Sequence, residues 1–427
     1  MQMIPNMERQ ALDMQPLLLF LLLLVNTSLC FSYEWIPDRR KDQNPSQPAY
    51  MVVPLPYSKP GIGEGLLLIA TASNVARSTA DITALLVTGD AGGSILNGSE
   101  IPLYSDILFF DFYLQNIDRA LVNNYSIRGI GNTSADDYTL LDASVANTTN
   151  IELNLTFYER RLNLYYSKSN SEYQIDAIRD NNGVIITNFG QPFTGSDSSD
   201  SLRGSIDLTD DYLDPRKGFR FDIAYQNNIA DNPNEPDFYT LDYNVLGYVP
   251  MGKLDTLVLN YYQSDAHVQR QGNIDPTSIR TELALNCLPT DTACLTAEQE
   301  LVDNFINART NGTSSDLGGD LRLRSFPQGR YQGAHTAFVG AEYRWNFKQE
   351  AKPFDYYIWK DVRTALQIAF FAEIGTVSET SGQLWDETRY SFGTGFRLIA
   401  ASGAVYRADI ATGKEGTELI MIFEYPW

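Results

Sequence analysis

Strict alternation of apolar and polar residues through the last hundred positions constrains this chain more than any other feature of its sequence. Five segments, near 334–347, 362–376, 387–400, 404–412 and 417–427, change side-chain character with period two, which sends successive residues to opposite faces of a strand. Within 337–347, Val339, Ala341, Tyr343, Trp345 and Phe347 share one face, and Glu342, Arg344 and Asn346 share the other. The last segment groups Leu419, Met421, Phe423, Tyr425 and Trp427. Alternation that runs to an aromatic C-terminal residue fits a closed barrel whose outer face meets lipid.

The pattern extends upstream. Segments near 199–210, 218–228, 237–250 and 254–265 alternate in the same way, and 64–176 has room for six or seven more, which predicts an all-β, transmembrane antiparallel barrel of sixteen strands. A soluble sandwich would also alternate. The number of strands sharing one pattern, the lack of any other core element and the aromatics gathered at strand ends favour the barrel. Short turns at 158–161 and 214–218 contrast with long polar loops at 177–197 and 266–332, the arrangement of a membrane barrel with one short rim and one long one.

The 427 residues carry 32 basic and 53 acidic side chains, a formal charge of −21, which argues against nucleic acid as a partner. The one long apolar run, Leu17 to Val25, is too short to span a bilayer as a helix. With Arg9 before it and Ser28 and Ser32 after it, residues 1–32 read as a secretory signal peptide cleaved near Cys30–Ser32. Leu29 is too bulky for the position before a lipidated cysteine. Residues 33–62, with Pro37, Pro45, Pro48, Pro54, Pro56 and Pro60, read as a periplasmic Pro-rich segment, leaving 63–427 for the barrel. Export implies an oxidising compartment, so Cys287 and Cys294 read as a disulfide closing a short loop; without a histidine pair beside them zinc is not expected, and no metal or cofactor is called for.

Three stretches resemble the outer-membrane assembly and translocation superfamily that includes BamA, TamA and the two-partner secretion transporters, whose barrel is also called the bacterial surface antigen domain. The first is the turn Asp211-Tyr212-Leu213-Asp214-Pro215-Arg216-Lys217-Gly218, in which Asp214, Pro215 and Gly218 carry the likeness. The second is Leu323-Arg324-Ser325-Phe326, similar to a Val/Leu-Arg-Gly-Phe/Tyr loop motif with Ser325 in the glycine's place, followed by Gly329-Arg330-Tyr331 and by Glu342-Tyr343-Arg344-Trp345. The third runs from Phe371-Ala372-Glu373 through Gly393-Thr394-Gly395-Phe396-Arg397 to Arg407-Ala408-Asp409. Together they cover about the C-terminal half of the chain.

The resemblance implies a bacterial outer-membrane protein, embedded in outer-membrane lipid, that aids insertion or translocation of polypeptides. Its partners would be unfolded client polypeptides and the cell's barrel-assembly machinery. This chain reads as a member without POTRA repeats. The resemblance also implies that the loop carrying Arg324 folds back into the lumen against acidic groups on the wall. Parity allows it: Ala365, Gln367, Ala369, Phe371 and Glu373 share one face, and Arg397, Arg407 and Asp409 fall inward too, so Glu373, Glu342 and Asp409 become candidate partners. Phe423, Tyr425 and Trp427 resemble the signal by which barrels are recognised for insertion, and they would sit at the membrane interface.

Two other classes compete. A passive or gated pore for small solutes is the alternative, its acidic lumen favouring cations. An enzyme is the weakest reading, because only His267 and His335 are present and neither has a serine and acid at recognisable spacing.

Overall fold

The computed structural model describes residues 48–427 except 132–134, 213, 253, 284, 286, 350–353, 357–358, 363–364, 400–404 and 424, so the leader expected at 1–32 lies outside the described residues. The strands are β1 (Ala49–Lys59), β2 (Gly63–Ser73), β3 (Asp81–Gly89), β4 (Gly92–Tyr104), β5 (Leu108–Asn124), β6 (Thr139–Phe157), β7 (Leu162–Arg179), β8 (Ile185–Asp207), β9 (Gly218–Ile229), β10 (Asp237–Met251), β11 (Asp255–Arg270), β12 (His335–Gln349), β13 (Phe354–Tyr356), β14 (Trp359–Val362), β15 (Ala365–Ser378), β16 (Arg389–Ile399), β17 (Val405–Gly413) and β18 (Gly416–Phe423). Sixteen of them, all but the hairpin β13–β14, form a closed antiparallel barrel in which each strand pairs with the next, β12 pairs with β15, and β18 closes on β1. Two helices, α1 (Pro276–Glu282) and α2 (Thr292–Asn311), lie in the long connection between β11 and β12. Asp275 caps α1 by accepting the Ser278 amide, and Asp291 caps α2 by accepting the Cys294 amide.

Period-two alternation sorts the wall as expected. Large apolar residues such as Leu153, Leu202, Phe370, Phe392 and Ile410 are exposed on the outside, where lipid would cover them. The inward set of β15, Gln367, Ala369, Phe371 and Glu373, is buried, as are Arg397 on β16 and Arg407 and Asp409 on β17.

Three boundaries depart from the sequence reading. The barrel begins at Ala49, inside the stretch assigned to a Pro-rich segment ahead of residue 63. Prolines are tolerated there because β1 is a seam strand: Pro56 turns its carbonyl away from β2 and toward β17, accepting the Tyr406 hydroxyl at 2.8 Å, so the missing amides fall on the side of β1 that faces β18. The segment 177–197 is a hairpin rather than a long loop, since β7 runs to Arg179 and β8 begins at Ile185. Finally, β18 ends at Phe423, and the chain beyond it leaves the wall.

That exit reverses the placement expected for Tyr425 and Trp427, while Phe423 stays in the wall as the last residue of β18. Trp427 stands in the lumen, its ring 6.4 Å from that of Phe338 and its carbonyl accepting from Arg344 at 3.4 Å. The Tyr425 ring lies 3.9 Å beneath the Arg344 guanidinium, and Pro426 is buried. Alternation could not foresee this, because a strand and a tail that turns inward share the same spacing of aromatic residues.

Candidate functional site

The connection leaving α2 crosses the lumen as residues 312–334. It is held as a compact turn rather than a strand: the Leu317 and Tyr331 backbones bond each other in both directions, and the Phe326 amide donates to the Leu323 carbonyl at 3.0 Å. Leu323 supplies the left-handed residue of this turn (φ +53°). Ser325 therefore does not need the freedom of the glycine it replaces; its amide donates to Ser391 Oγ on β16 at 3.0 Å. Leu317, Leu323, Phe326 and Tyr331 pack with Phe338, Tyr262 and Val377 as a fully buried apolar cluster inside the barrel.

From that turn Arg324 reaches the wall. Its amide and Nε donate to the two oxygens of Glu373, at 2.9 and 2.7 Å, and its Nη1 donates to Glu342 at 3.1 Å and to Asp409 at 2.8 Å. The guanidinium carbon stands 3.4 Å from the centre of the Phe371 ring and 5.7 Å from the Trp427 ring. Around it, Arg397 bonds Glu342 and Asp409, Arg344 bonds Glu342 at 2.9 Å, and Arg407 bonds Asp409 at 2.8 Å. Four guanidinium groups thus face three carboxylates, with Asp320 of the loop 3.7 Å from Arg407 as the fourth acid. Burial works against the charge on Arg324, but Glu373, Glu342 and Asp409 more than offset it and hold its pKa above the ordinary arginine value. The planar fork suits this task, since it can address several carboxylate oxygens from fixed directions.

The same loop grips the rim on both sides of the β1–β18 closure. Arg330 makes a two-pronged pair with Glu415, in the turn between β17 and β18, at 2.7 Å for each bond. Across the closure, the Gln328 amide donates to the Pro60 carbonyl at 3.0 Å, and Lys59 Nζ lies 3.1 Å from Asp320. Gly329 takes φ +70° between these two grips. Glu415, Asp320 and Lys59 were not singled out from the sequence. They sit in turns or at a strand end, where no period marks a side chain as inward.

The other expected sites lie apart from this cluster or touch it indirectly. In the β8–β9 turn, Asp210 accepts from the Arg216 and Lys217 amides, Asp214 pairs with Arg216 at 2.9 Å, and Pro215 is buried. Gly218 has φ +109°, and a Cβ there would fall 2.2 Å from the Leu208 carbonyl oxygen. Tyr425 reaches this turn, its hydroxyl 3.4 Å from Asp214. Cys287 and Cys294 are joined, with Cα atoms 5.7 Å apart, between α1 and the start of α2. His335 pairs with Asp265 at 2.7 Å, and His267 stacks on Tyr239.

A sixteen-stranded barrel with apolar residues outside, ion pairs inside and a loop latched across its lumen defines a class, the outer-membrane β-barrel with an internal loop. Comparison with known proteins gives the family: the model of the Omp85 superfamily domain matches residues 101–418, and the chain belongs to that superfamily. It is a barrel of the assembly and translocation superfamily in the bacterial outer membrane. Among solved structures it is similar to BamA from Haemophilus ducreyi lacking POTRA domains 1–3, at 12% identity and a TM-score of 0.45 over 89% of this chain and 69% of that one. It is also similar to CdiB from Escherichia coli, at 11% identity and a TM-score of 0.49 over 89% of this chain and 62% of that one. No curated protein matches the sequence.

Proposed function

We propose that this barrel aids insertion or translocation of polypeptides by parting at the seam between β1 and β18, and that the loop carrying Arg324 keeps the seam shut at rest. The observation that carries this reading is the inequality of the two edges of β1. Toward β2 it pairs residue by residue from Ala49 to Lys59, whereas on its other edge the pairings among the described residues are Ser58 with Met421 of β18 and Tyr50 with Lys360 of β14. Pro54 and Pro56 weaken that edge further, because neither has an amide to donate. A seam with few backbone bonds parts at lower cost than the rest of the wall, and a strand exposed at its edge is a ready template for another chain.

The loop bridges the two sides of this seam through Glu415 on one side and Pro60 and Lys59 on the other, so releasing the loop would release both at once. Its buried apolar turn occupies luminal space beside β12 and β15, which disfavours a passive pore. Clients would be unfolded polypeptides, handled by opening and closing rather than by covalent chemistry.

Reconstitution tests this. Residues 33–427 folded into liposomes are given an unfolded outer-membrane barrel, and its heat-resistant folded form is followed over time. Acceleration over protein-free liposomes is expected, without any added periplasmic domain. No acceleration, together with steady ion conductance, would replace the proposal with a pore.

A further inference from the structure

The tall hairpin β7–β8 has no part in the latch or the seam. It stands on the rim opposite the start of β1 and the end of β18, and β8 alone has 23 residues, whereas about 9–11 suffice to cross a bilayer. Cross-strand rows show where the lipid belt stops. Leu153, Tyr166 and Leu202 form one outward row; Ile151, Lys168 and Asp200 form the next; Thr149, Asn170 and Ser198 form the one above. Above Ser198 the sheet has therefore left the membrane.

There β8 loses its neighbour on one side. It pairs with β7 in unbroken register from Ile206 to Phe193, then loses register over 189–192, where Pro192 has no amide, and again at Ile186, while its pairing with β9 begins at Ser198, where β9 ends at Ile229. The regular part of the upper edge, Phe193 to Asp197, thus has no strand beside it on the β9 side among the described residues. Apolar side chains return here and at the hairpin tip, well clear of lipid: Val184 is 63% exposed, Ile186 60% and Phe193 53%. Tyr173 and Phe189 flank Phe193 with ring centres at 6.3 and 6.4 Å. Exposed apolar residues along an open edge are a feature that proteins normally cover. The surroundings are acidic. Residues 169–197 carry Glu172, Asp176, Asp180 and Asp197 against the single base Arg179, which is already paired with Asp142. Asp231 adds a further carboxylate beside Ser196.

We propose that the upper edge of β8, from Phe193 to Asp197, is a docking strand for an extended, basic polypeptide segment outside the membrane, which adds to the sheet by backbone pairing and sets an apolar side chain against Phe193. A second copy of the chain does not fit. Two copies in one membrane are related by an axis along the membrane normal, which leaves both β8 strands running the same way and opposes identical backbone groups at each height. An antiparallel pair of edges would need an axis in the membrane plane. The proposal rests on the reading of this barrel as a handler of polypeptides, and adds where a segment is held once it is outside.

The test uses the full barrel in nanodiscs and a labelled ten-residue peptide in which valine alternates with lysine and threonine. Saturable binding is expected, with slowed amide exchange across 193–197 and no change across 198–207. The Phe193→Lys variant and a peptide with glutamate for lysine should each weaken binding about tenfold or more, or about 1.4 kcal/mol. Unchanged exchange at 193–197, equal affinity in the variant, or a dimer in sedimentation that the variant abolishes would each overturn the proposal. Client folding measured on the same samples separates the two ideas: acceleration without peptide binding removes only the docking strand, and peptide binding without acceleration removes the insertion function.

Discussion

Arg324 is the side chain that touches all three wall carboxylates, and among the described residues Glu373 has no other cation partner. Arg324→Ala would leave Glu373 buried and uncompensated, at a cost of roughly 3–5 kcal/mol to the docked loop. We expect the barrel to remain folded while trypsin cleaves within 300–332; unchanged protection of that segment would contradict the latch. Arg324→Lys should restore little, because a point charge cannot replace the fork. Asp316 gives a second handle. Burial, the larger effect, raises its pKa, and the bond from Gln328 opposes this only in part. The ionised group therefore burdens the docked loop above that raised pKa, and the burden fades as pH falls through it toward the ordinary carboxylate range. Asp316→Asn should make the loop more protease-resistant at neutral pH and flatten its pH dependence; an unaltered pH profile would refute this. At this scale the strand residues were legible, because parity alone turned Glu373, Arg397, Arg407 and Asp409 inward. Glu415 and Asp320 were not, because turns carry no parity.

Among the elements, the β8–β9 turn and the α1–α2 link each make a separate prediction. Gly218→Ala places a Cβ against the Leu208 carbonyl at a positive φ, so it should slow barrel folding or lower its thermal midpoint; an unchanged melt in detergent would show that the turn relaxes freely. The Cys287–Cys294 bond closes a short loop, and its removal in a double serine variant should loosen that loop by roughly 2–3 kcal/mol. Faster amide exchange confined to 276–311, with the barrel's heat resistance unchanged, is the expected outcome. Strand periodicity was legible over most of the wall, including the five strands after the loop. It failed at both ends of the seam, and for one reason. Prolines in β1 hide a strand that tolerates them only because its edge is weakly paired. The aromatic spacing of Tyr425 and Trp427 continues the outer face of β18, although the chain bearing them turns into the lumen.

For the whole molecule, the weak closure and the latch describe one device: a closed wall whose sparsest pairing among the described residues is at β1–β18, and a loop that spans that closure from inside. The most direct test joins the seam covalently. Ser58 and Met421 face each other across the closure, and cysteines at opposed antiparallel positions, with Cα atoms about 4.5–5.5 Å apart, are within disulfide reach. Client folding would be followed with the Ser58→Cys/Met421→Cys barrel in liposomes, oxidised and then reduced, beside the parent protein under the same treatments. The account predicts that oxidation abolishes the acceleration, that reduction restores it, and that the parent is indifferent to both. Full acceleration by the oxidised, verified cross-linked barrel would contradict it.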